Sequence, residues 1–142
     1  MTGPSRVGDV AADSFVEDVV KPALKLPRGE PRVRALFDAW IAWGVEEGCI
    51  FVAAAAELDD REGPARDAAV AAQRDWMETL TQAARAAVQA GHFRADLDLP
   101  QFVFELESIF LGMHFMSRFV REPSAETYAE RAIRALLERT RA

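Results

Sequence analysis

Apolar and polar positions follow a helical period along almost the whole chain, and nowhere do they alternate with a period of two. The densest stretch is Leu99–Val120. Placed on a helix at about 100° per residue, Phe102, Leu106, Ile109, Phe110, Met113, Met116 and Val120 share one face. Phe104, Leu111, Phe115 and Phe119 share a second face, beside the small residues Ser108 and Gly112. Glu107, His114, Arg118 and Arg121 are left on a narrow strip that reads as wet. A surface helix needs a single apolar stripe, so two such faces predict burial on two sides. The charges at Glu105, Glu107 and Arg118 interrupt the run and argue against a membrane span. One side can be covered by the rest of a short chain. The other calls for a partner, and a second copy of the chain is the simplest one.

The remaining elements follow in order. Residues 1–8, with Gly3, Pro4 and Ser5, read as a disordered lead, and residues 9–142 as a single helical domain. Val10, Phe15, Val16, Val19 and Val20 predict a first helix from Asp9 that Pro22 should kink or end. Pro27-Arg28-Gly29 is a loop, after which Pro31 suits the first turn of a second helix with Val33, Leu36, Phe37, Trp40, Ile41 and Trp43 on its apolar face. Gly48 breaks the pattern. A short third helix, about Cys49–Leu58, carries Ala53–Ala56, a surface without bulk. Pro64 opens a long fourth helix through Val70, Trp76, Met77, Leu80, Ala84 and Val88, and Gly91 stops it. His92–Leu97 is a connector. Asp98 with Gln101 forms an Asp-x-x-Gln variant of the capping box that starts the central helix, and Glu122-Pro123 ends it. A final helix from Ser124 shows a narrower stripe of Ala125, Tyr128, Ala132, Ile133, Leu136 and Leu137. The expectation is an all-α bundle of about six helices.

Composition narrows the function. At 142 residues the chain suits one domain. Its net charge of -6 lacks the basic footprint of a domain that grips nucleic acid. The single Cys49 permits no intrachain disulfide and no cysteine-built metal site. No signal peptide or membrane span is visible, so the chain reads as cytoplasmic. There is no phosphate-binding glycine loop, no G-x-S-x-G elbow and no H-E-x-x-H pair. With only His92 and His114 available, no histidine-built helical metal site is expected. Glu107 and His114 are two turns apart, roughly 10 Å of rise, and no further ligand is placed beside them. We therefore expect no catalytic residues, no metal and no cofactor.

The aromatic residues say more. Large rings facing the Ala53–Ala56 surface either pack solidly or leave a cavity lined by rings and methionine. A cavity of a few hundred Å³ would suit a hydrophobic small molecule. Its expected lining is Trp40, Trp43, Phe51, Ala55, Trp76, Met77, Phe110, Met113 and His114, with His114 as the polar group that orients the ligand. The plainer reading of His114 is a polar residue satisfied at a helix contact, and that of Cys49 is a small buried residue.

One block, Gly48-Cys49-Ile50-Phe51-Val52, then Ala53–Ala56, the turn Asp59-Asp60-Arg61-Glu62 and Gly63-Pro64, resembles the C-terminal domain of the TetR family of bacterial transcription regulators. The resemblance continues through Ala87-Val88-Gln89-Ala90-Gly91-His92-Phe93-Arg94 to the apolar helix with Gly112, Arg118, Glu122 and Pro123. It implies an effector-binding and dimerisation domain, in which the last two helices of each copy form a four-helix interface. The residues expected there are Phe104, Ser108, Leu111, Gly112, Phe115, Phe119, Tyr128, Ala132 and Leu136. Regulators of this family also carry an N-terminal helix-turn-helix module. Asp9–Val20 resembles the helix that follows it, so the module is expected to be absent here and DNA to be reached only through it. The competing expectations are a stand-alone dimeric interaction protein without a small-molecule ligand and, less favoured by the motifs, a small helical enzyme.

Overall fold

The structure is a computed structural model that describes residues 13–47 and 49–142. Within them the chain is all-α, with six helices and no strand beyond an isolated bridge between Phe93 and Arg141. Val10, the expected lead and the Gly48 break lie outside the described residues.

Local chemistry accounts for most of the boundaries. The first helix consists of a π-turn, Val16–Val20, that runs into Lys21–Leu24. Pro22 was expected to end or kink it, yet the helix continues through the proline. The turn ahead is widened, with the Lys21 N–H donating to the Val16 carbonyl five residues back. That opens the ladder where the proline ring would otherwise meet the carbonyl of Asp18.

The second helix, Glu30–Glu47, has Pro31 in its first turn. Its Glu30 N–H donates to Nδ1 of His92, 3.0 Å away, so a residue from the distant connector caps this helix. Gly29 makes the approach possible: at φ +121°, a Cβ there would stand 2.2 Å from His92 Nδ1. The third helix is Ile50–Leu58, with Cys49 at its N-cap, and the fourth is Pro64–Gln89.

The central helix, Leu99–His114, starts as expected: Asp98 accepts a hydrogen bond from the Gln101 N–H at 3.1 Å. It runs on as a second π-turn, Phe115–Val120, and stops at Arg121, which is left-handed at φ 62°. The final helix is Ala125–Thr140. Its end is tied to the connector by the Arg94 N–H to Thr140 carbonyl bond and to the start of the second helix by the paired hydrogen bonds from Arg141 to Glu30.

The central helix packs on the final, fourth and second helices, and this decides which of its faces lies inside. Phe102, Leu106, Phe110 and Met113 are buried together with Leu36, Phe37, Leu80 and Ile133. The second face is uncovered among the described residues. Phe104 is 64% and Phe119 77% exposed, and Leu111 and Phe115 are exposed between them. Val120, expected on the inner face, is also exposed; it is the last residue of the π-turn, which re-aims the helix end.

Two further expectations need correction. The strip taken as wet holds only two fully exposed members, Arg118 and Arg121, while Glu107 and His114 are half-buried. The final helix buries Ala125, Ala129, Ile133, Leu136, Leu137 and Thr140, so the expected stripe holds at Ala125, Ile133, Leu136 and Leu137 but not at Tyr128 and Ala132. Tyr128 points outward and Ala132 is half-buried. Leu136, expected to face a partner, is only 3% exposed inside its own protomer. No single described helix is long and apolar enough to cross a membrane.

Candidate ligand-binding site

Five helices each send one ring to a common point. Trp40 from the second helix lies flat on Phe110 from the central helix, centroids 4.0 Å apart and planes 9° from parallel. Trp76 from the fourth helix meets Trp40 edge-on at 5.2 Å. Phe15 meets Trp76 edge-on at 4.7 Å and Phe51 of the third helix at 6.2 Å. Such stacked and edge-to-face contacts hold rings in fixed orientations. The close stack depends on Gly44, where a Cβ would lie 2.8 Å from the Phe110 ring. No special backbone angle singles Gly44 out, so its role is invisible in the sequence.

The rings do not fill the space they enclose. A cavity of about 330 Å³ lies among Phe15, Trp40, Phe51, Trp76 and Phe110, with Val16, Val20, Cys49, Val52, Ala55, Ala72 and Leu111 completing its apolar wall. Its polar lining among the described residues is Gln73, Asp75, Thr79 and Glu107, with no Lys, Arg or His among them. The Thr79 hydroxyl is already used, donating to the Asp75 carbonyl at 3.0 Å.

Of the residues expected at such a site, Trp40, Phe51, Ala55, Trp76 and Phe110 converge on the cavity. The other four stand elsewhere. Trp43 packs behind the wall, edge-on to Phe15 at 5.2 Å. Met77 turns outward and is exposed, and Met113 is buried one turn beyond Phe110. His114 accepts a hydrogen bond at Nε2 from the Cys49 N–H, 3.1 Å away. It thus steadies the start of the third helix, which requires the neutral ring. Burial, then the nearby Arg118 charge, hold its pKa below the usual 6.5.

Glu107 was missed. It lies one turn before Phe110 and Leu111, both cavity-lining, so the three share a face at i, i+3 and i+4. That spacing was readable in the sequence, but a carboxylate there was taken to point at water. Its Oε1 is instead buried with no hydrogen-bond partner, as is Nε1 of Trp76 on the same wall. Burial alone pushes the Glu107 carboxyl up to about 7 from the usual 4.5. The Cys49 thiol is also raised, first by its own burial, with a smaller contribution from the Glu107 charge. Unpaired buried polar atoms are uncommon in native proteins and call for a reason. Three occur among the described residues: those of Glu107 and Trp76, both cavity-lining residues, and Nε1 of Trp43 behind the wall. Among the described residues no cluster of His, Cys, Asp and Glu is arranged to hold a metal ion.

Comparison with known proteins bears on this site. The family model for the tetracyclin repressor-like C-terminal domain matches residues 29–135, from the turn before the second helix into the final helix. No curated protein matches the chain.

Proposed function

The chain belongs to the tetracyclin repressor-like C-terminal domain family, and from that premise we propose that it senses a hydrophobic small molecule and dimerises, as the regulatory half of a transcription regulator. The observation that carries the reading is the cavity of about 330 Å³. Its size and apolar lining, with a few polar groups, are those of a small-molecule site, and a ring from each of five helices borders it.

The site and the uncovered face share one helix. Glu107, Phe110 and Leu111 contact the cavity, while Phe104, Leu111, Phe115 and Phe119 lie along the exposed side of the same helix and its π-turn. A row of exposed aromatic rings of this kind marks an interaction surface. A second copy packed there would bury it, with Tyr128 of the final helix at the edge. A guest in the cavity then acts at one helix's remove from the interface. It shifts the spacing of the two protomers only by its differential affinity for the two arrangements. Such a shift changes whether paired DNA-binding heads match half-sites on the duplex.

The test uses the neutral fluorescent probe N-phenyl-1-naphthylamine. The wild-type protein should bind it with enhanced, blue-shifted emission and gain stability by mass action, about 2.7 kcal/mol at a hundredfold excess over Kd. Ala55→Trp should fill the cavity and abolish both signals with the helical circular dichroism unchanged. Failure of the wild type to bind, or equal binding by the variant, overturns the reading. A dimer that persists without any ligand site would instead favour an interaction protein built on the same exposed face.

A further inference from the structure

We propose that the cavity is made for an organic cation, a flat aromatic or apolar body bearing one positive charge that the Glu107 carboxylate receives. The inference rests on the cavity being the ligand site and adds the chemistry of its occupant.

The lining is electrically one-sided. Among the described residues its two ionisable carboxyls, Glu107 and Asp75, share the lining with no Lys, Arg or His. An anionic guest would meet two like charges and no counter-ion. A wholly apolar guest would fill the volume and leave Glu107 Oε1 as it stands in the empty site, buried and without a hydrogen-bond partner, so it gains nothing from the carboxyl. A cation beside Glu107, which lines the cavity, is attracted by the ionised carboxylate in a site where water screens little. The remaining walls suit it equally well. Trp40, Trp76, Phe15, Phe51 and Phe110 supply aromatic rings, whose negative faces attract a cation within about 6 Å of the centroid.

Binding also moves a proton. Because the empty site holds Glu107 near 7, part of the population is protonated at neutral pH. A cation selects the ionised carboxylate, and the displaced proton passes to the buffer. The titratable groups around Glu107 are few. Cys49, ahead of the third helix, is pushed up by burial and stays a neutral thiol. Asp75 stands across the cavity on the fourth helix. Two turns along the central helix, His114 is held low by burial and Arg118.

Three probes of nearly one shape test the proposal by isothermal titration calorimetry at pH 7 and physiological salt: 1-methylquinolinium, its neutral isostere 1-methylnaphthalene, and anionic 1-naphthoate. The cation should bind on the order of tenfold or more tighter than the isostere, from ion pairing with the carboxylate and attraction to the ring faces, and the anion should bind most weakly. Glu107→Gln should keep the affinity for 1-methylnaphthalene and erase the advantage of the cation, and Ala55→Trp should bind none of the three. A second measurement needs only the wild type. Heats compared between buffers of different ionisation enthalpy should reveal release of roughly half a proton with 1-methylquinolinium and none with 1-methylnaphthalene. Equal or tighter binding of the neutral probe, blocked by Ala55→Trp, refutes the cation and leaves the cavity reading intact. A preference for the cation that survives Glu107→Gln, or the absence of proton release, also refutes it. If none of the probes binds, both readings fall.

Discussion

Replacing Glu107 by Gln should make this protein more stable at pH 8 and leave it nearly unchanged at pH 4.5. The carboxyl titrates at about 7 in the fold and at the usual 4.5 once exposed, so between those values the folded state holds a proton that the unfolded state has lost. Stability is then fully present below about pH 4.5 and declines as the pH rises through 7. At about 1.36 kcal/mol per pH unit, the ionised carboxylate costs the empty protein up to about 3 kcal/mol above pH 7. Gln keeps the shape and cannot ionise, so its gain should grow from near zero at pH 4.5 to that value at pH 8, roughly 10 °C in Tm for a chain of this size. His114 works in the opposite sense. Its depressed pKa adds stability as the pH rises through 6.5, but it is present in both proteins and cancels in the difference. The assay is urea denaturation of both proteins at half-unit steps from pH 4.5 to 8.5. A difference that stays flat across that range would mean that Glu107 is solvated, and the account of the cavity wall would fail with it.

Two further changes probe other parts of the structure. Phe119→Glu places a charge on a residue that is 77% exposed, so it should leave folding intact and weaken the dimer at least roughly tenfold, since burying an unpaired carboxylate is costly. Sedimentation equilibrium at micromolar concentration checks this, and a monomeric wild type would refute the proposed interface. Gly44→Ala sets a methyl 2.8 Å from a Phe110 ring already stacked on Trp40. It should cost about 1–3 kcal/mol in urea denaturation and weaken binding of the naphthylamine probe as the ring moves, whereas unchanged stability would show that the stack is loose.

Helix ends were legible because they rest on local chemistry. Asp98 with Gln101, Pro31, Pro64 and Gly91 each act within a turn of their own position, so the sequence window contains the cause. Pro22, expected to kink or end its helix, does not end it, because the π-turn ahead opens the ladder where the ring would meet a carbonyl. The inner and outer faces of the central helix could be separated by period but not ranked, since Phe102, Phe110, Phe104 and Phe119 are the same kind of residue. Only the packing of the second, fourth and final helices chooses between them. On the final helix Ala125, Ile133, Leu136 and Leu137 are buried as their period predicts, and the departures lie at the edge of the stripe, where Tyr128 is exposed. Packing divides the expected site in the same way. Trp76 reaches the cavity and the adjacent Met77 does not; Phe110 reaches it and Met113, one turn on, does not. Glu107 escaped notice because a charge on an apolar helix reads as an exit to water until the neighbours are known.

The π-turn at Phe115–Val120 has an evolutionary corollary. An i→i+5 turn accommodates one residue more than an α-turn, so this segment is equivalent to a single-codon insertion that the helix has absorbed without breaking. Its last residues, before the stop at Arg121, are rotated by about 100° relative to an uninterrupted helix. Loss of one codon between Phe115 and Val120 would erase the surplus, restore a continuous α-ladder from Leu99, and swing the end of the helix to show a different set of side chains. Surface specificity here is thus open to change by length as well as by substitution. A lineage could exchange one partner for another by a three-nucleotide deletion, with the buried residues up to Met113 left untouched.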